Sequence, residues 1–162
     1  MGSNMWKTAG RPSIEPAGGF GDPRKDPRYV ELTTNLASIH AQLLKMKLAE
    51  NPALIGDMLG ELRLGANQLF SYLNTYIDAL SDMQQAYARK RQAIFEQRIA
   101  LPKGSPSGSE HYAREMTRIE DADIKVVENR IQQIKNDYER YNGICIYLQS
   151  RMREFNTERI LQ

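Results

Sequence analysis

The side chains able to do chemistry are few and scattered. The 162 residues hold two histidines, His40 and His111, and one cysteine, Cys145. Neither histidine has a companion at metal-ligand spacing, and one cysteine excludes both an internal disulfide and a Cys-based zinc site. Glu120, Asp121 and Asp123 form an acidic trio, but positions two apart on a helix point away from each other, so the oxygens do not converge on a cation. No nucleophile elbow, phosphate-binding glycine loop or paired acid and base occurs. The expectation is a protein without catalytic residues, metal or cofactor.

One cluster remains, and its chemistry is binding. Arg89-Lys90-Arg91, then Arg98 and Lys103, gather five cations with only Glu96 opposing them. Arg91 and Arg98 are two turns apart on a helix and share a face. Repeated around a ring of subunits, this cluster makes a cationic track for phosphates, with strong salt dependence. Tyr87 and Phe95 lie within a turn of it, where aromatic rings can stack the open faces of single-stranded bases. The competing reading is intramolecular: a hairpin folded about residue 105 brings Lys90 opposite Glu120, Asp121 and Asp123, which would consume the charge.

Composition agrees with binding. The balance of 22 Lys+Arg against 20 Asp+Glu leaves a net charge of +2, so a polyanion contact has to come from a local cluster. Mean hydropathy is −0.59. No apolar run approaches the roughly 18 residues that span a bilayer, and no membrane partner is expected. Residues 1–28 are crowded with Gly and Pro and read as a flexible tail without a secretory signal. A cytoplasmic location is the expectation.

The positioning elements are helices throughout, because no window alternates with a strand's period of two. Leu32, Leu36, Ile39, Leu43 and Met46 recur at spacings of four and three, giving a helix over about 29–50 that stops at Asn51-Pro52. Ile55, Leu59, Leu62, Ala66, Leu69, Leu73, Tyr76, Leu80, Met83 and Tyr87 keep the same alternation. Gly65 falls inside that tract at a cost of about 1 kcal/mol against Ala, yet the unbroken register predicts one continuous helix ending before Pro102. Residues 102–109 read as a loop, with Ser107 and Glu110 as a capping box restarting the chain. A third tract, Val127, Ile131, Ile134, Tyr138, Tyr141, Cys145, Leu148, Met152 and Phe155, predicts a helix from about Glu110 to near the C-terminus. The fold is therefore all-α: a long antiparallel helical hairpin with an additional N-terminal helix. A two-helix hairpin cannot bury its stripe fully and the first helix is too short to cover both arms, so heptad-like seams predict a homo-oligomer over residues 29–162.

The last tract carries a resemblance. From Asp123 the segment DIKVVENRIQQIKNDYERYNGICIYLQSRMREF resembles the C-terminal helix of the UvsY-type recombination mediators of T-even-like phages, through Asp123-Ile124, Gly143, Ser150-Arg151 and Phe155. The stretch 88–93 with Arg98 is similar to the Lys/Arg-rich end of that family's central helix. The likeness spans roughly residues 65–160. It implies a ring-shaped homo-oligomer that binds single-stranded DNA and helps a RecA-like recombinase displace a single-strand-binding protein. It also implies DNA contact by Lys90, Arg91 and Arg98, to which the charge cluster adds Arg89 and Lys103. Oligomer packing falls around Arg151 and Phe155, and the seam positions Tyr141, Cys145, Leu148 and Met152 join them as the expected interface. This chain departs from the family in its Gly/Pro-rich leader and its helix at 29–50. Two other readings fit the same heptads: a coiled-coil scaffold or assembly chaperone that binds only protein, and a secretion or virion hairpin subunit that forms open filaments.

Overall fold

The computed structural model describes residues 21–162. Four helices follow a single 3-10 turn at Pro23–Lys25: α1 over Pro27–Lys45, α2 over Pro52–Ile99, α3 over Pro106–Met116 and α4 over Arg118–Leu161. No strand occurs among the described residues. At 1.5 Å per residue α2 is about 70 Å long. α2 and α4 run antiparallel along nearly their whole lengths, with Lys90 against Glu120, Phe70 against Tyr138, Arg63 against Gln149 and Gly56 beside Met152. The all-α hairpin with an added N-terminal helix is the observed architecture.

The heptad stripes form the core. Leu36 and Leu43 of α1 are buried, as are Ile55, Leu59, Leu62, Ala66, Leu69, Leu73 and Tyr76 of α2. Val127, Ile134, Tyr141 and Cys145 of α4 join them, while Ile131, Tyr138, Leu148 and Met152 pack at the margin. Because α2 faces two neighbours, it also buries Met58, Gly65 and Tyr72, which a single seam leaves out. α1 lies antiparallel to α2: the Tyr29 and Tyr72 rings meet edge to face at 5.4 Å, and Leu36 presses on Gly65. Gly65 is therefore a point of close helix approach, and α2 continues through it.

The three-helix portion ends where α1 begins. Tyr76 Oη donates to the carbonyl of Gly21 at 2.5 Å, and no α2 residue beyond Tyr76 is fully buried. From there to the bend the molecule is a two-helix arm.

Helix ends follow local chemistry and correct four expectations. Residues 1–20 of the expected tail lie outside the described residues, but Pro23 is buried and Gly21, Asp22 and Asp26 are half-buried. Asp22 and Asp26 accept backbone N–H bonds from Arg24 and Arg28, and α1 starts at Pro27. α1 ends at Lys45, and Asn51 precedes α2 without a side-chain cap bond, so Pro52 at the first turn is what marks that start. At the bend the cap is Ser105, whose Oγ accepts from Gly108 N at 3.2 Å, with Pro106 in the first turn. The loop is shorter than 102–109, and Ser107 lies inside a helix. The third tract is also interrupted at Thr117, whose φ of −110° and ψ of 19° separate α3 from α4. Its buried hydroxyl donates to the Ala113 carbonyl at 2.8 Å, offering the backbone an alternative to helical continuation.

Candidate nucleic-acid interface

The five cations singled out by sequence occupy the end of α2 and the bend, and their environments differ. Lys90 pairs with Glu120 of the returning helix. Arg91 lies over the Tyr87 ring, its guanidinium 5.9 Å from the centroid, and donates to Tyr87 Oη at 3.3 Å. Arg98 stacks more closely on Tyr112 of α3, at 4.6 Å. Arg89 and Lys103 are exposed and have no partner among the described residues. Of the acidic trio expected to neutralise this cluster, only Glu120 pairs with it. Asp121 is exposed and Asp123 half-buried.

Charge is unevenly distributed along the chain. Residues 86–119 hold seven Lys and Arg against three Asp and Glu, a net of four positive charges in a chain whose total is +2. The bend is the basic end of the molecule. An arginine resting on a ring keeps its field and its outward donors, whereas a lysine paired with a carboxylate has its charge offset by the partner. Four of the five cations therefore still present positive charge, with Arg114 and Arg118 nearby on α3 and α4.

Sequence reasoning missed Tyr112 and Arg114. Both lie in α3, in a stretch already expected to be helical from Glu110, but neither belongs to the apolar stripe that drew attention to the other α4 and α2 positions. The expected stacking residues Tyr87 and Phe95 are half-buried and flank a recess of about 500 Å³ whose far wall is α3. Ser109, also on α3, is buried, and its hydroxyl has no hydrogen-bond partner among the described residues.

The expected oligomer positions divide. Tyr141 and Cys145 are 4% and 0% exposed inside the chain's own core, which corrects their assignment to an interface between subunits. The seam they lie on is satisfied by α1 and α2. Leu148, Met152 and Phe155 are half-buried, and Arg151 is paired with Glu154 of its own helix at 2.8 Å. Burial raises the Cys145 thiol above its ordinary pKa, against a smaller opposing pull from Arg63. The buried phenols behave likewise: burial drives Tyr72 up to about 12, and burial together with the Asp137 carboxylate drives Tyr29 further. Tyr29 Oη donates to Asp137 Oδ2 at 2.5 Å, tying α1 to α4.

Elsewhere, an almost wholly apolar groove between α1 and α4 is lined by Leu43, Leu44, Ile144, Tyr147 and Leu148 with His40 and Arg140 at its edge. Among the described residues no group of three His, Cys, Asp or Glu gathers as metal ligands, and no helix is long and apolar enough to cross a membrane. No protein-family model, curated protein or solved structure matches the chain.

Proposed function

We propose that the protein is a non-enzymatic recombination mediator, which binds single-stranded DNA as a homo-oligomer and assists loading of a RecA-like recombinase against a single-strand-binding protein. The observation carrying this reading is the basic bend. Four of its five cations keep charge available, on an arm whose sides no third helix covers. The resemblance of Asp123–Phe155 to the UvsY-type mediators supplies the biological role. The physical logic is avidity: one cluster holds a strand weakly at physiological salt, and several clusters on one oligomer hold it far more strongly.

The test is a filter-binding titration with oligo-dT at two salt concentrations, comparing the native chain with one carrying Arg89→Ala, Lys90→Ala and Arg91→Ala. The expected result is weaker binding with a flatter salt dependence and an unchanged mass by light scattering. Equal binding by both proteins would remove the basic bend from the interface and the reading with it. The apolar groove between α1 and α4, where Leu44 is 73% and Tyr147 64% exposed, favours the second reading, a scaffold that binds only protein. That scaffold predicts no oligo-dT binding at either salt concentration.

A further inference from the structure

The recess between α2 and α3 has a chemistry that phosphate binding alone leaves unused. Tyr87 and Phe95 stand two turns apart on α2 with Arg91 between them, and Glu110 and Arg114 of α3 close the opposite side. A volume of about 500 Å³ lies within the range of sites that hold one small planar group. Its arginines are already positioned: Arg91 by the Tyr87 ring and hydroxyl, Arg114 by a 2.6 Å ion pair with Glu110. Ring and guanidinium faces attract the flat face of a base. Glu110 pushes the other way on a phosphate, because a carboxylate repels a second anion. The same carboxylate accepts a hydrogen bond from the exocyclic amino group of cytosine. The surroundings reverse this preference, since Arg89, Arg98 and Lys103 lie outside the recess and suit phosphates.

We propose that this recess is a nucleobase subsite. It takes one unpaired, amino-bearing base of a single-stranded oligonucleotide against Phe95 and the Arg91–Tyr87 pair, while the flanking phosphates rest on the outer cations. The subsite rests on the nucleic-acid reading above and adds to it a requirement for a base.

The experiment is a fluorescence-anisotropy competition on the full chain between oligo-dC and an abasic deoxyribose-phosphate oligomer of equal length. Both carry the same charge, so the phosphate contribution cancels. Stacking of one base gives oligo-dC an advantage of roughly tenfold or more. Phe95→Leu, which keeps apolar packing and helix propensity, and separately Phe95→Ala, should each shrink that advantage several-fold. Binding of the abasic oligomer and its salt slope should stay unchanged. Equal binding of the two oligomers overturns the subsite while leaving the phosphate track intact. Absence of binding by either overturns the nucleic-acid reading itself. Variants that weaken both oligomers by the same factor also overturn the subsite, because the residues then act through the fold and not through a base.

Discussion

Replacing Gly65 with Ala tests whether α1 crosses α2 where the packing places it. In a helix interior Ala is favoured over Gly by about 1 kcal/mol, so an unobstructed glycine gains about that much on substitution. Gly60 and Gly143 are unobstructed: a Cβ at either meets nothing within 4 Å. At Gly65 it would overlap the Leu36 side chain, lying 3.0 Å from Cγ and nearer still to Cδ2. Leu36 is 1% exposed, so it has no free space to turn into. Overpacking of this kind costs about 1–3 kcal/mol. The expected change for Gly65→Ala is therefore between neutral and about 2 kcal/mol destabilising, against a gain of about 1 kcal/mol for Gly60→Ala or Gly143→Ala. Urea unfolding followed by far-ultraviolet circular dichroism, at one fixed protein concentration because assembly shifts the midpoint, reads the difference. In a Leu36→Ala background the obstruction is gone, and Gly65→Ala should recover the gain. Stabilisation by Gly65→Ala alone, equal to that of Gly60→Ala, would refute the close approach and the three-helix packing built on it.

Three further outcomes follow from the same contacts. Glu120→Gln releases Lys90 from a partly exposed pair, so stability should move by less than about 1 kcal/mol, while the slope of log affinity for oligo-dT against log salt steepens by about 0.7; an unchanged slope would mean that Lys90 does not reach the strand. Cys145 is fully buried with its thiol pushed up, so it should resist a disulfide reagent in the native chain and react fully in denaturant, a contrast read by thiol absorbance. The buried phenols predict alkaline sensitivity. Tyr72 is raised from 10.0 to about 12, so its contribution is complete below pH 10 and declines as pH climbs toward 12, with a loss on the order of 1 kcal/mol by pH 11. Ionisation of all eight tyrosines by pH 11 without loss of helix signal would contradict that burial.

The core was legible in the sequence because spacing and burial are the same physical fact on a helix. Leu62, Leu69, Ile134 and Cys145 all fall on the three-four stripes, and all four are 0% exposed. What spacing could not deliver was contact between elements. Tyr29 stands one heptad before Leu36, so spacing accounts for its burial, but its bond to Asp137 depends on where α1 lies against α4. Gly65 read only as a propensity cost, since the Leu36 side chain it admits belongs to another helix. The pairing of Lys90 with Glu120 was legible, because an antiparallel hairpin fixes which residues face each other once the bend is located. The same construction overestimated Asp121 and Asp123, which share the acidic segment but not the facing side. The loop was drawn too long for a local reason: a stretch dense in Ser, Gly and Pro looks like a loop, but Ser followed by Pro is also how a helix begins, as at Ser105-Pro106. Tyr112 and Arg114 fell in the helix expected from Glu110, but their contacts beside α2 belong to the packing between helices.

The limited length of α1 separates stability from binding. Every fully buried residue of α2 lies between Ile55 and Tyr76, the stretch that α1 covers. Past Tyr76 the two-helix arm holds its stripe half-buried at Leu80, Met83 and Tyr87, so few of its side chains are committed to a core. Cations there are inexpensive to keep, because exposed charge has no desolvation penalty. Arg91 and Arg98 show the arrangement such a surface permits. Each rests on a tyrosine instead of a carboxylate, which orders the side chain without cancelling its charge. An acid across the hairpin, as Glu120 is for Lys90, would order each arginine about as well and offset its charge. That most of the cluster is left unmatched, at the end of the molecule with the fewest packing demands, is what supports the proposed contact with an anion supplied from outside.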